Sequence, residues 1–253
     1  MSLIRLSSDL DVAALTRAFA VRKRLHIPDI FALDSAGAVA AVLEGETRWK
    51  TTVAAGGTYF ELPLDGRRAQ DPSKQAWLDE AAVDGASPLI QYIFDTRRLG
   101  LREGHNADHR DAADAVLDFL NTGTFLDLMR AITGDDRIDF CDAQASRFRP
   151  GHVLTVHNDI SAGMNRLYGY ALNFSREWRA DWGGNLVFDG PGGHIEHGWV
   201  PAFNALNLFA VPTRHAVTEV ASFAPRDRLS IVGWARSNRK VGPQSREDAR
   251  AAY

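Results

Sequence analysis

The chain has one cysteine, Cys141, among its 253 residues. It therefore has no intrachain disulfide and no cysteine-based zinc cluster, and a lone thiol suits a reducing compartment, so a cytoplasmic protein is expected. Charge of one sign is also lacking. Lys and Arg number 29 against 32 Asp and Glu, a formal net charge of −3. This argues against the broad basic field of a nucleic-acid binder, although a local basic patch stays open. Long apolar runs are missing too. None approaches the ~20 residues of a membrane helix, and Met1 to Arg17 lacks the unbroken apolar stretch of a signal peptide. No membrane or nucleic-acid partner is expected. No Gly-x-Ser-x-Gly elbow, P-loop, dinucleotide fingerprint or internal repeat occurs. What is present, 45% hydrophobic and 24% charged residues, is the composition of an ordinary globular protein.

The texture changes part-way along. Apolar residues at helical spacing predict helices after Ser8 or Asp9, over Ser35 to Glu46, over Ser73 to Val83 and over Asp111 to Leu120. A further helix, capped by Thr124, ends near Gly134. Leu25 to Phe31, Trp49 to Val53 and Gly57 to Leu64 read as extended, and Leu89 to Phe94 is ambiguous. From Ile138 onward, short apolar runs alternate with Gly, Pro, Asn and Asp, which predicts six to eight short strands in a sandwich or barrel. The expectation is an α+β chain with one domain over residues 1–253. Residues 1–137 would be a mainly helical support with some strands, 138–236 the sheet core, and 237–253 a polar C-terminal arm.

One constellation within the sheet half carries chemistry. The strand-like run Val153 to Val156 ends in His157-Asn158-Asp159. Period-two alternation would place His157 and Asp159 on one face, with Asn158 turned away. His215 follows 58 positions later, suited to a partner strand across a sandwich. Two imidazoles and one carboxylate form the donor set of non-haem Fe(II) oxygenases, with coordination positions left open. Arg228 opens the run Arg228 to Trp234, where alternation puts Arg228, Ser230, Val232 and Trp234 on one face. An inward arginine is costly without an anion, and a dicarboxylate would supply one through a two-pronged contact.

These residues, in this order, resemble the 2-oxoglutarate/Fe(II) dioxygenases of the prolyl 4-hydroxylase type. The matching pieces are Phe148-Arg149-Pro150-Gly151, His157-Asn158-Asp159, Tyr170 to Asn173 with Trp178, Gly183 to Leu186, His215-Ala216-Val217 and Arg228 to Trp234, spanning roughly residues 140–235. The branch most similar is the one of ribosomal-protein and hypoxia-sensing prolyl hydroxylases. The resemblance implies a double-stranded β-helix (jelly roll) with supporting N-terminal helices. It implies His157, Asp159 and His215 as catalytic metal ligands, and Arg228, assisted by Ser230, as the co-substrate site. Fe(II), 2-oxoglutarate and O2 would be required. The implied activity couples oxidative decarboxylation of 2-oxoglutarate to hydroxylation of a C–H bond, on a prolyl residue of a protein, on a free amino acid or on a small metabolite. A metal-binding jelly roll without turnover is the non-enzymatic alternative.

The sequence departs from that family at Phe148 and near Ala171, where the family carries tyrosine hydroxyls. The interval from His215 to Arg228 is also longer, which makes Arg226 a rival for the carboxylate role. The histidines of His194-Ile195-Glu196-His197 are expected to be exposed, His152 to lie on the strand's outer or rim side, and Trp178 and Trp182 to pack. Substrate choice is expected in loops, around Gly57 to Ser73 and after Asp159. Oligomeric state is left open.

Overall fold

The structure, a computed structural model, describes residues 4–55, 57–63, 89–100 and 111–238. The helix expected over Ser73 to Val83 and nearly all of the C-terminal arm fall outside those residues. Four helices are described: α1 (Val12–Arg22), α2 (Leu33–Glu44), α3 (Ala112–Leu120) and α4 (Gly123–Thr133). Two caps differ from expectation. Asp11, not Ser8 or Asp9, accepts the Ala14 N–H at the start of α1 (2.9 Å), because Asp9 instead receives the Ser8 hydroxyl. Thr122, not Thr124, precedes α4, and its hydroxyl bonds back to Phe119 O at 2.7 Å. Asp111 and Asp114 form a reciprocal capping box on α3. No helix among the described residues is long and apolar enough to cross a membrane.

The strands are β1 (Arg24–Ile27), β2 (Lys50–Ala55), β3 (Thr58–Pro63), β4 (Tyr92–Arg98), β5 (Phe140–Cys141), β6 (Gln144–Phe148) and β7 (Val153–His157). They continue with β8 (Arg166–Asn173), β9 (Leu186–Asp189), β10 (Ile195–Trp199), β11 (Ala205–Ala210), β12 (His215–Val217) and β13 (Arg228–Arg236). All join one antiparallel sheet in the order β1-β11-β8-β13-β6-β4-β7-β12-β9-β10; β2 continues from β4, β3 from β2, and β5 pairs with β13. The path curls into a nearly closed, jelly-roll-like barrel. Its end strands meet through the Arg24–Glu196 ion pair at 2.7 Å. The first half contributes more sheet than its sequence suggested. β4 lies between β6 and β7, so the division expected near residue 137 cuts through the sheet rather than beside it.

Alternation divides the two faces. Leu229, Ile231 and Ala235 of β13, Leu172 of β8 and Leu206 and Leu208 of β11 turn outward, onto a core shared with Ala36, Val39 and Leu43 of α2 and with Phe125 and Met129 of α4. The opposite face of β13, with Arg228, Val232 and Trp234, lines the barrel interior. Burying the outer face against the helices therefore commits the inner face to the cavity.

A charged knot secures the β4–β6 junction. Asp95 is fully buried and accepts from Thr51 Oγ1 (2.8 Å), Arg147 Nε (2.8 Å) and Arg149 Nε (2.9 Å). Burial alone would raise its pKa, but Arg149, His152 and Arg147 outweigh that and the net shift is downward. His152 is itself buried rather than on a rim, and burial pushes its pKa down to about 4. Asp95→Ala removes the carboxylate that these two part-exposed guanidiniums share, and a loss of about 1–3 kcal/mol is expected, measurable as a fall in the urea midpoint.

Candidate metal centre

β7 and β12 are hydrogen-bonded neighbours, and their register sets His157 directly opposite His215. The two histidines come from adjacent strands of one sheet, not from strands facing across a sandwich. Their ring centroids are 4.1 Å apart. His157 Nδ1 lies 2.9 Å from Thr155 O, and His215 Nδ1 lies 2.7 Å from Thr213 O. A carbonyl oxygen only accepts, so both Nδ1 atoms carry the proton and both Nε2 lone pairs are free. Those lone pairs converge on one carboxylate. His157 Nε2 is 3.4 Å from Asp159 Oδ1, and His215 Nε2 is 3.6 Å from Asp159 Oδ2.

Asp159 reaches this point by a route the alternation argument did not foresee. β7 ends at His157, and Asp159 has φ +65°, a left-handed conformation that Asp tolerates better than most residues. Asn158 begins the turn, its Oδ1 accepting the Ile160 N–H at 3.1 Å. The backbone turn, not strand pleating, swings the carboxylate beside His157. Burial alone would raise the Asp159 pKa, but its neighbours His157 and His215 and the Trp234 indole outweigh it, holding the carboxyl far below its usual range. Burial, then the neighbouring His157, push His215 down to about 4, opposed by Asp159. The centre thus presents two imidazole Nε2 atoms and a carboxylate to one point, the donors a divalent cation needs. Among the described residues these three alone gather with one ligand atom each within 4.8 Å. The donors and their open side suit Fe(II).

A cavity of about 840 Å³ opens from the triad. Arg228 stands in its wall, 2% exposed. Its Nη1 donates to Ser230 Oγ at 3.2 Å, its Nε is buried without a partner, and no carboxylate among the described residues pairs with it. Burial pulls its pKa down to about 10, still far above neutrality. Ser230 Oγ is 2.8 Å from Ser146 Oγ. Phe148, where a hydroxyl is missing, stacks on Phe94 with planes 4° apart, and the Arg228 guanidinium lies 5.0 Å from its centroid. Arg226 does not line the cavity. It is part-exposed, donates to Arg176 O at 3.3 Å and pairs with Glu177 at 3.4 Å. His194 is exposed, and His197 rests edge-on against Trp199, 5.2 Å between centroids. Trp178 packs against Trp182 and donates to Gly183 O.

Residues 143–236 match the sequence model of the 2OG-Fe(II) oxygenase superfamily. The matched segment runs from the start of β6 to the end of β13 and contains all three donors of the centre. Two imidazoles and a carboxylate fit the Fe(II) of that model's description. Solved oxygenases share the fold. A Pseudomonas putida prolyl-4-hydroxylase is 19% identical with a TM-score of 0.56, covering 90% of this chain and 99% of its own. A Trichoplax adhaerens prolyl hydroxylase, solved with a hypoxia inducible factor peptide fragment, is 13% identical with a TM-score of 0.57, covering 96% and 93%. A Burkholderia pseudomallei 2OG-Fe(II) oxygenase family oxidoreductase is 15% identical with a TM-score of 0.56, covering 92% and 96%. No curated protein sequence matches the chain.

The matched segment holds a glycine that sequence reasoning passed over, Gly169, and one within the Gly183 to Leu186 piece already singled out, Gly184. A Cβ on Gly169 would stand 2.5 Å from the Phe209 ring and 3.2 Å from Asp159 Oδ2. A glycine inside a strand, between Tyr168 and Tyr170, was the available signal. Gly184, φ +63°, similarly leaves room for the Arg228 stem, 3.0 Å from where a Cβ would sit. Arg166 and Ser146 gave no comparable signal. Gly169→Ala is expected to push the Phe209 ring or the Asp159 carboxylate aside, costing about 1–3 kcal/mol in stability and roughly tenfold or more in metal affinity. Thermal melts and Mn(II) titration of the variant measure both.

Proposed function

We propose that this chain is an Fe(II)- and 2-oxoglutarate-dependent dioxygenase that hydroxylates a C–H bond. The observation that carries the reading is the pairing of two features in one cavity: a triad of two imidazoles and a carboxylate, and a buried guanidinium with no anion of its own. His157, Asp159 and His215 hold Fe(II) from one side. Arg228 receives the distal carboxylate of 2-oxoglutarate, and Ser230, steadied by Ser146, adds a hydroxyl. Iron and 2-oxoglutarate, when bound, supply the oxidising power through reaction with O2 and loss of CO2.

The chain's own part is placement. Thr155 O and Thr213 O fix the two imidazole tautomers. Gly184 lets the Arg228 stem pass behind the cavity wall. Phe148, Phe94, Val217 and Leu186 make the surroundings apolar, which strengthens the guanidinium–carboxylate contact and keeps water from the reacting carbon. A prolyl side chain is one substrate reading, supported by fold likeness to prolyl hydroxylases, one of them solved with a peptide. A small metabolite with a carboxylate of its own is the other. Arg166 favours it, because its buried Nε has no partner and its guanidinium lies beside the metal centre, 4.0 Å from Asp159.

Purified protein given Fe(II), 2-oxoglutarate and a reductant is expected to release succinate. His157→Ala is expected to abolish that release; a wild-type protein that binds no divalent metal overturns the reading. Arg228→Ala is expected to raise the 2-oxoglutarate requirement about 100-fold, the scale for removing one partner of a buried charge pair, with metal still bound. Arg226→Ala is expected to leave it within about twofold, as befits an exposed ion pair. The reverse order of the two effects assigns the carboxylate to Arg226.

A further inference from the structure

Met164 stands in the loop that runs from Asp159, a donor of the metal centre, to Arg166, the first residue of β8. Its N–H donates to Ser161 O at 3.1 Å, and its side chain lines the cavity that opens from the triad. The loop is strapped to the end of β13. Arg236 Nε donates to Met164 O at 2.6 Å, Nη1 donates to Asp142 Oδ2 at 2.9 Å, and Nη2 meets Met164 Sδ at 3.6 Å. The guanidinium rests on Phe140, Cζ 5.0 Å from the ring centroid. One residue on, Ser237 N donates to Asn165 O at 3.2 Å, and Asn165 Nδ2 donates to Ser237 O at 3.3 Å.

One contact in this strap is weaker in kind than the others. Arg236 meets a carbonyl and a carboxylate on two sides, but a thioether on the third, and a thioether is a weak acceptor. Oxidation of the sulfur reverses that, because a sulfoxide is polar and accepts through its oxygen. A polar oxygen left unpaired inside a wall is costly, but here an N–H already faces the sulfur. Access also singles out Met164. Met129 is fully buried in the helical core, whereas Met164 is part-exposed on the cavity wall.

We propose that Met164 is a reversible oxidation site whose sulfoxide is received by Arg236, so that oxidation tightens the loop that follows Asp159. The oxidant is a peroxide, and the step needs neither iron nor 2-oxoglutarate. Met164 Sδ gives an electron pair to one peroxide oxygen. The S–O bond forms, the O–O bond breaks, and the other oxygen leaves as water with both peroxide protons. The sulfur is oxidised by two electrons and the peroxide is reduced by two. The new oxygen accepts from Arg236 Nη2, and a strong hydrogen bond replaces the thioether contact. The same change makes an apolar part of the cavity wall polar, beside the metal centre.

The test treats the full chain with limiting hydrogen peroxide in the presence of Zn(II), which has no redox chemistry. Peptide mass spectrometry follows each methionine, and hydrogen exchange follows the amides of residues 160–165. Met164 is expected to gain one oxygen about tenfold or more faster than Met129, and methionine sulfoxide reductase is expected to remove it. Exchange over residues 160–165 is expected to slow about fivefold in the oxidised protein, the scale of one added hydrogen bond, and to recover on reduction. Arg236→Lys is expected to oxidise at Met164 without that slowing. Met164→Gln, which carries an amide oxygen at similar reach, is expected to slow exchange with no oxidant, and it keeps the test decisive if Arg236→Lys fails to fold. The proposal is overturned if Met129 oxidises as fast as Met164, or if exchange in the sulfoxide is unchanged or faster. It is equally overturned if the slowing persists in Arg236→Lys, or if Met164→Gln exchanges as fast as the unoxidised wild type.

Discussion

The register between β7 and β12 is the constraint on which the rest of the site depends. It brings together two histidines 58 positions apart in sequence. A slip of one residue would turn His215 away from His157, because side chains alternate between faces. The register is held from both sides, since β12 also pairs with β9, His215 opposite Phe188. The buried rings of Phe209 and Phe188 then close on His215 at 4.5 and 6.3 Å. A short strand of three residues is fixed in this way by its neighbours rather than by its own length.

Much of this was legible beforehand, and the parts that were not share a cause. The alternation put Arg228, Val232 and Trp234 on the cavity face because β13 runs nine residues without a break, long enough for period two to hold. The same rule, applied to His157-Asn158-Asp159, grouped the right side chains for the wrong reason. The strand stops at His157, and Asp159 turns in through a positive φ, a local conformation that hydrophobic pattern does not encode. The place of β4 between β6 and β7 was hidden because strand order is decided by pairing over many tens of residues. The α1 cap was missed by two residues because three candidate oxygen-bearing side chains stand together, and only geometry tells which one faces the helix.

Arg228 shows why a buried charge can be read as a site rather than as a scaffold. The other deeply buried arginine of the sheet, Arg97, meets Glu46, Asp111 and Asp114 within 2.9 Å. Arg147 and Arg149 converge on Asp95. These are closed groups, with charge answered within the fold. Arg228 has a serine hydroxyl and an aromatic face instead, which orient the guanidinium without neutralising it. A protein that holds such a group folded bears a desolvation cost that only an incoming anion offsets.

β13 also explains how one cavity could manage two acids. Arg228 is at one end, opposite Phe148 of β6, and Trp234, the platform for Arg166, is six residues on, opposite Gly169 of β8. At ~3.3 Å per residue those ends are roughly 20 Å apart, and Gly169 is the residue that leaves room for the Asp159 carboxylate. On the metabolite reading, the co-substrate carboxylate is held at the far end of the strand, and the substrate carboxylate at the end beside the metal ligand. Each has its own guanidinium, so neither acid needs to displace the other to bind. Arg228 and Trp234 stand on β13 and Arg166 on its hydrogen-bonded neighbour β8, so the antiparallel pairing of the two strands fixes one guanidinium relative to the other.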